Sequence, residues 1–312
     1  MRGIPVRRRV AKERDRIADG SGEEAAAENL LFKRAKISFR GNRGAWLGAL
    51  LVGIVVVAAL FAPVLAPHDP YDQVLTRSLR PPVWGGGSWA HILGTDHLGR
   101  DVLSRVIYGS RISLGVGLGA CLVAGTIGTF LGLISGFFGG RLDDVVMRVA
   151  DVQLAFPFIL LATAVMFVLG SGLRNVIVVL GVTGWVVYGR VVRGQVLALR
   201  EKDFIEAAVA SGCTRAGTII RHVFPNVSSS VIVIATLEVA RVIIAEASLT
   251  FLGLGVDPRI PTWGSMLADG RQYLAGHPWI ATFPGLAIMI TVLGINLLGD
   301  WLRDTFDPKM TG

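Results

Sequence analysis

Asp203-Phe-Ile-Glu206-Ala207-Ala208-Val-Ala-Ser-Gly212, followed closely by Ile219-Ile220-Arg221-His222-Val223-Phe224-Pro225-Asn226, is a polar interruption between two apolar runs. The runs cover about Val176 to Val192 and Val231 to Leu254. Asp203 followed three residues later by Glu206 fits a capping box, with Asp203 as N-cap and Glu206 reaching back. A first short helix then runs about Phe204 to Ser211, and Gly212 supplies the left-handed position that ends it. Thr214 is placed to cap a second helix, which Pro225 keeps from joining the next apolar run smoothly. The product is a helix-turn-helix elbow faced with Ala207, Ala208 and Ala210. No long side chain holds such a face away from a groove, so it suits helix-in-groove recognition of a soluble partner.

The chain around the elbow is apolar. Hydrophobic residues make up 52% of the 312 residues, and the mean hydropathy is +0.57. Runs of this kind approach or exceed the roughly 20 apolar residues that cross a bilayer core. The expected fold class is an all-α polytopic membrane protein with six transmembrane helices. The spans are about Trp46 to Leu65, Ser113 to Phe138, Met147 to Leu169, Val176 to Val192, Val231 to Leu254 and Trp279 to Leu298. At the end of the fourth span, Arg190 and Arg193 can snorkel to the interface. Residues 1–43 differ in kind. They carry a basic run, including Arg7, Arg8 and Arg9, then Glu23, Glu24 and Glu28. This is read as a disordered or interfacial tail, with Ala25 to Phe39 able to form an amphipathic surface helix. Residues 44–312 form the transmembrane domain.

A net charge of +8 would suggest nucleic acid in a soluble domain. Here the basic residues lie mostly between spans, where topology explains them better. With the N-terminus inside, the inside segments hold 22 Lys and Arg against 8 outside, and 10 against 8 without residues 1–45. The reading is N- and C-termini in the cytoplasm, with the elbow on the same side. Cys121 and Cys213 fall on different elements, so neither a disulfide nor a cysteine metal framework is expected.

Small residues recur every fourth position at Ala120, Ala124, Gly128, Gly132, Gly136 and Gly140. Such a stripe lets two helix backbones approach closely in lipid, either within the chain or against a second subunit. Glu238, Arg241 and Glu246 lie inside the fifth span. Intramembrane charges face a bundle interior or a wet path, so these residues either border a translocation path or fix packing as an ion pair. Pro157 and Pro284 fall in the third and sixth spans, where each frees a carbonyl and can kink its helix. His91, Asp96, His97 and Asp101 do not follow a regular metal-ligand spacing, so no metal is assigned. Asp96, Arg100, Asp101 and Arg105 are read instead as caps and ion pairs that fold an extracellular loop over a pore mouth. There is no G-x-x-x-x-G-K-[ST], so no P-loop binds ATP in this chain. No nucleophile–base pair stands out either, and the chain is not read as an enzyme.

Glu206-Ala207-Ala208, three residues, Gly212 and then Pro225 resemble the EAA loop of ABC importer permeases. The general form has Ile and Leu where this chain has His222 and Phe224. Arg221-His222-x-x-Pro225-Asn226 is similar to the version in the peptide/nickel branch. Other stretches extend the resemblance: Phe61-Ala-Pro-Val-Leu-Ala-Pro67-His68-Asp-Pro70, Leu93-Gly-Thr-Asp96-His97-Leu-Gly-Arg100-Asp101, Glu246-Ala-Ser-Leu-Thr-Phe-Leu-Gly-Leu-Gly255, Pro261-Thr-Trp263-Gly and Asn296-Leu-Leu-Gly-Asp300-Trp-Leu-Arg303-Asp. Together they are similar to the C-type subunit of dipeptide and oligopeptide permeases, from about residue 30 to the end. The resemblance implies a type I importer fold with its shared core over about 107–302. It implies that Asp203, Glu206, Ala207, Ala208, Gly212, His222 and Pro225 form the coupling loop that docks on an ATPase. The implied partners are a homologous second permease, two cytoplasmic ATPases that hold the ATP and Mg, an extracellular or periplasmic substrate-binding protein, and the lipid bilayer of a bacterial plasma membrane. The implied cargo is a peptide, with nickel, glutathione or another small solute as alternatives. A stand-alone secondary transporter is a rival class, but it leaves the elbow unexplained.

Overall fold

The computed structural model describes residues 42–306, and all secondary structure within them is helical apart from one isolated bridge between Thr95 and Asp101. The tail over 1–41, including the surface helix expected at Ala25 to Phe39, lies outside the described residues. The helices are α1 (Arg43–Leu60), α2 (Ala62–Leu65), α3 (Val102–Phe138), α4 (Gly140–Leu154), α5 (Phe158–Leu169), α6 (Leu173–Arg200), α7 (Asp203–Ala210), α8 (Arg215–Thr218), α9 (Phe224–Phe251), α10 (Trp263–Gly270) and α11 (Trp279–Phe306). Among the described residues, five helical stretches are long and apolar enough to cross a membrane, and six if α4 and α5 count as one broken span.

That broken span corrects the expected third helix. α4 and α5 meet at 91°, with Pro157 at the N-cap of α5. The residue before a proline is pushed out of the helical region, and proline itself lacks the N–H needed to continue the ladder. Pro157 therefore breaks the run where a kink or hinge within one helix was expected. Pro284 behaves differently and is accommodated inside α11, which continues to Phe306. α1 also ends earlier than expected, at Leu60, because Pro63 enters the next short helix near its start.

The small-residue stripe of α3 packs against α6 within the chain. A Cβ built on Gly128 would stand 2.3 Å from the Trp185 carbonyl oxygen, and one on Gly132 would stand 2.7 Å from that of Gly189. One on Gly136 would stand 2.8 Å from Val196 Cβ. The glycines let the two backbones meet, as small residues do between helices in lipid. Gly140 does not belong to this seam. α3 ends at Phe138, Gly139 and Gly140 have φ of +63° and +59°, and a Cβ at Gly140 meets nothing within 4 Å. A second close crossing joins α1 and α11, where Gly48 lies against the Gly294 carbonyl.

Arg190 and Arg193 do not simply snorkel. Arg190 pairs with Asp151, and Arg193 grips Asp143 through two bonds of 2.5 and 2.6 Å, tying α6 to α4. The main core fills the middle of the bundle with Val116, Ala120, Val176, Leu180, Ile243 and Leu249 among its members.

Candidate functional site

The two ends of the bundle carry different polar structures. At one end stands the elbow between α6 and α9. At the other, the segments 66–101 and 252–278 fold over one another.

The elbow starts one residue earlier than the capping pattern indicates. Lys202 holds the extended N-cap conformation, Asp203 is already helical, and no side chain caps α7. The Lys202 carbonyl accepts from Ile205 and Glu206 N–H groups at 2.9 and 3.3 Å. Asp203 and Glu206 instead place two acidic groups in the first turn, where the helix dipole favours them. The other end matches expectation. Gly212 has φ of +86°, its N–H donates to Val209 O at 3.0 Å, and Cys213 N–H donates to Ala208 O at 3.1 Å. This pair of bonds is the Schellman closure. Thr214 Oγ1 then accepts from Gly217 N–H at 3.1 Å and caps α8.

Pro225 does not break the chain away from the following span. Ile219–Val223 form a π-helical turn, Phe224 N–H donates to Ile219 O, and α8 runs into α9 as one stretch from Arg215 to Phe251. The wider turn shifts the carbonyl that the proline ring would otherwise meet, so Pro225 sits in the first turn of α9. His222 lies in this turn, half-buried, and its carbonyl accepts from Asn226 Nδ2.

One residue anchors α7. Ile205 is 2% exposed and packs with Leu133, Val192, Val196, Val223 and Val227. Full burial of an isoleucine side chain stabilises by about 1.5–3 kcal/mol. The opposite face is open: Phe204, Glu206, Ala207, Val209 and Ala210 are exposed. Beside it lies an open groove of about 500 Å³, walled by Phe137, Phe138, Arg200, Glu206, Val209 and Arg215.

At the far end, Asp96 holds Arg100 Nε at 2.6 Å and also pairs with Arg105. Asp96 Oδ1 accepts from the backbone of Leu98 and Arg100 at 2.8 and 3.0 Å. Asp269 completes the cluster at 3.0 Å from Arg100 and 3.5 Å from Arg105. Burial alone would raise the Asp96 carboxyl, but Arg105 and Arg100 outweigh it and hold the group below its ordinary range. Asp101 belongs to a separate arrangement. Its Oδ2 caps α3 through Ser104 N–H at 2.8 Å, and its Oδ1 faces His91 Nδ1 at 3.0 Å. Sequence reasoning grouped Asp96, Arg100, Asp101 and Arg105 as caps and ion pairs without pairing them, and it missed Asp269, whose partners lie more than 160 residues away in sequence. It also missed His68.

The intramembrane charges divide. Arg241 Nε donates to Glu238 at 2.9 Å, and the Arg241 guanidinium lies 4.7 Å over the Phe158 ring. Glu246 does not join them. It is fully buried and accepts from Thr250 Oγ1 at 2.9 Å and Ser113 Oγ at 3.4 Å. Ser113 Oγ also takes Trp263 N–H at 3.3 Å, and Trp263 Nε1 donates to Val106 O at 3.0 Å. Glu246 thus links α9 to α3 and, through Ser113, to the start of α10. Arg241 is another matter, since its side chain is 42% exposed on a helix long and apolar enough to cross a membrane.

The described chain is thus a multi-span helical bundle with an elbow at one end and packed loops at the other. The chain belongs to the family of binding-protein-dependent transport system inner membrane components, whose model matches residues 128–312. Residues 31–82 match the N-terminal TM domain of oligopeptide transport permease C. The chain is 42% identical to the di/tripeptide transport system permease protein DppC of Pseudomonas aeruginosa over 274 residues, 88% of this chain and 90% of that one. It is 38% identical to the oligopeptide transport system permease protein OppC of Bacillus subtilis over 292 residues, 93% and 94% of the two chains. It is also 43% identical to the glutathione transport system permease protein GsiD of Escherichia coli over 274 residues, covering 88% and 89%.

Proposed function

We propose that this chain is a non-catalytic, pore-forming subunit of an ATP-driven importer for di- or oligopeptides. The observation that carries the proposal is the elbow. A short helix is pinned to the bundle by Ile205 and closed by Gly212, yet leaves an alanine-lined face and an adjoining groove open to a partner. The permeases named for di/tripeptide and oligopeptide transport support the cargo class, and the glutathione permease keeps a small peptide-like thiol as the second reading.

In this reading the elbow end faces the cytoplasm, as the Lys and Arg distribution favours. An ATPase subunit seats Glu206, Ala207, Ala208 and Gly212 in its groove, and a second ATPase does the same for a homologous permease. Motion of the ATPases reaches the membrane through Ile205 and the continuous α8–α9 stretch. The interlocked loops at the other end receive substrate from a binding protein. Arg241 and Glu238 border the path formed with the second permease, because an exposed guanidinium at membrane depth cannot face lipid at low cost.

Ala207→Arg is the direct test. Ala207 is exposed in the chain alone, so the variant folds, but the long cation holds the helix out of a groove. Peptide uptake in proteoliposomes carrying the assembled transporter is expected to fall at least tenfold, the effect of about 1.4 kcal/mol. Gly212→Pro, which removes the N–H that closes the elbow, is expected to act in the same direction. Unchanged uptake together with unchanged transport-coupled ATP hydrolysis would sink the docking claim.

A further inference from the structure

We propose that His68, His91 and Asp101 form a zinc site that clamps the chain after α2 to the N-terminus of α3. Among the described residues, the three offer donor atoms within 4.8 Å of one another. The His91 and His68 Nδ1 atoms stand 3.0 and 3.9 Å from the same oxygen, Asp101 Oδ1. Tetrahedral zinc with ligand bonds near 2.0–2.1 Å sets its ligand atoms about 3.3 Å apart, so the two distances bracket the required edge. The pair of neutral imidazoles and one carboxylate is also a donor set that suits zinc over calcium or magnesium.

Hydrogen bonding alone leaves this cluster incomplete. Asp101 Oδ1 pairs with His91 Nδ1 at 3.0 Å, while His68 Nδ1, at 3.9 Å, is out of hydrogen-bond reach and is buried without a partner. His91 is 4% exposed, and its Nε2 is likewise without a partner. The rings lie 4.6 Å apart, tilted by 31°. A divalent ion bound by His68 Nδ1, Asp101 Oδ1 and His91 Nδ1 supplies the partner that His68 Nδ1 lacks.

The surroundings hold those ligands in place. Asp101 Oδ2 is fixed by Ser104 N–H and Oγ at 2.8 and 2.7 Å, which orients Oδ1 toward the imidazoles. Ser104 Oγ in turn accepts from His68 N–H at 3.0 Å, so the metal-facing residues share one hydrogen-bonded frame. No Arg or Lys among the described residues pairs with Asp101. The nearby guanidiniums of Arg100 and Arg105 are held by Asp96 and Asp269 instead. That occupation also removes the neighbouring set of Asp96, His97 and Asp269 as a rival metal site. The His68 side chain is one-third exposed, which leaves a route for the ion and room for water as fourth ligand. Irregular spacing in the sequence hides the site, because His68 follows α2 while His91 and Asp101 lie 23 and 33 residues further on.

The experiment uses the whole assembled transporter, purified on a histidine-free tag, stripped with chelator and dialysed against zinc. Metal content is read by mass spectrometry and thermal unfolding is followed with and without added zinc. The expected result is one zinc per assembly that disappears in His68→Ala and in His91→Ala but stays in His97→Ala. Added zinc is expected to raise the unfolding temperature of the unmodified protein and not of His68→Ala, as for any ligand that binds the folded state. Should His91→Ala fail to fold, His68→Ala decides alone, since that side chain is partly exposed. Zinc content equal in His68→Ala and the unmodified assembly, or zinc lost through His97→Ala, would overturn the proposal.

Discussion

Gly128→Leu is expected to leave no folded permease, and Gly128→Ala to lower the unfolding temperature sharply. A Cβ at this position would stand 2.3 Å from the Trp185 carbonyl oxygen and 2.6 Å from Tyr188 Cβ. Both obstacles belong to backbone or to the root of a side chain, so no rotamer change relieves them. α3 and α6 must move apart, and the separation is passed along the seam to Gly132 and Gly136, where a Cβ would stand 2.7 and 2.8 Å from α6. Overpacking of this kind costs about 1–3 kcal/mol where neighbours yield, and more where they cannot. Gly115 is the matched control. It lies on the same helix, a Cβ there meets nothing within 4 Å, and alanine gains up to about 1 kcal/mol over glycine in a helix interior. Gly115→Ala should therefore be neutral or stabilising. The comparison is made by size-exclusion profile and thermal unfolding in detergent. Equal stability of Gly128→Ala and Gly115→Ala would show that the seam is not as tight as described.

The stripe also shows how far the sequence could be read. Its period marks a helix face made for close approach, but nothing in α3 tells which helix it meets. In lipid all apolar faces are equivalent, and selection of α6 rests on shape, with Gly181, Gly184 and Gly189 admitting α3 in return. The elbow was legible because capping and glycine closure are local chemistry. Its start was off by one residue, since Lys202 takes the extended conformation that Asp203 is better suited to hold. The π-turn was hidden because Pro225 signals a disturbed ladder and not how the ladder is repaired. The break at Pro157 was masked by continuous apolar residues on its C-terminal side, although Asp143, Asp144, Arg148 and Asp151 already mark α4 as half polar. Long-range polar contacts were out of reach. Nothing near Arg105 names Asp269, and nothing near Asp101 names His68.

Asp96→Ala is expected to destabilise the folded chain by about 3–5 kcal/mol, the cost of leaving a buried charge without its partner. The Arg105 side chain is 1% exposed, and its Nε and Nη2 have no hydrogen-bond partner, so carboxylates alone compensate it. Without Asp96, Arg105 and Arg100 face each other with only Asp269 between them, at 3.5 and 3.0 Å. The backbone N–H groups of Leu98 and Arg100 lose their acceptor as well, which loosens the turn before α3. Asp269→Asn should cost less, because that carboxylate is more exposed and is not each arginine's sole partner. The pH dependence separates charge from shape. The folded-state pKa of Asp96 is depressed, so its stabilisation is fully present above the ordinary aspartate value of about 3.9 and is lost as pH falls through the lower, folded value. Asp96→Asn keeps the size and one acceptor but never carries the charge. The gap in unfolding temperature between the unmodified protein and Asp96→Asn should therefore be constant from pH 8 to about pH 5 and close in stronger acid. A gap that stays open through acid would mean that the cluster is held by packing and not by the charge of Asp96.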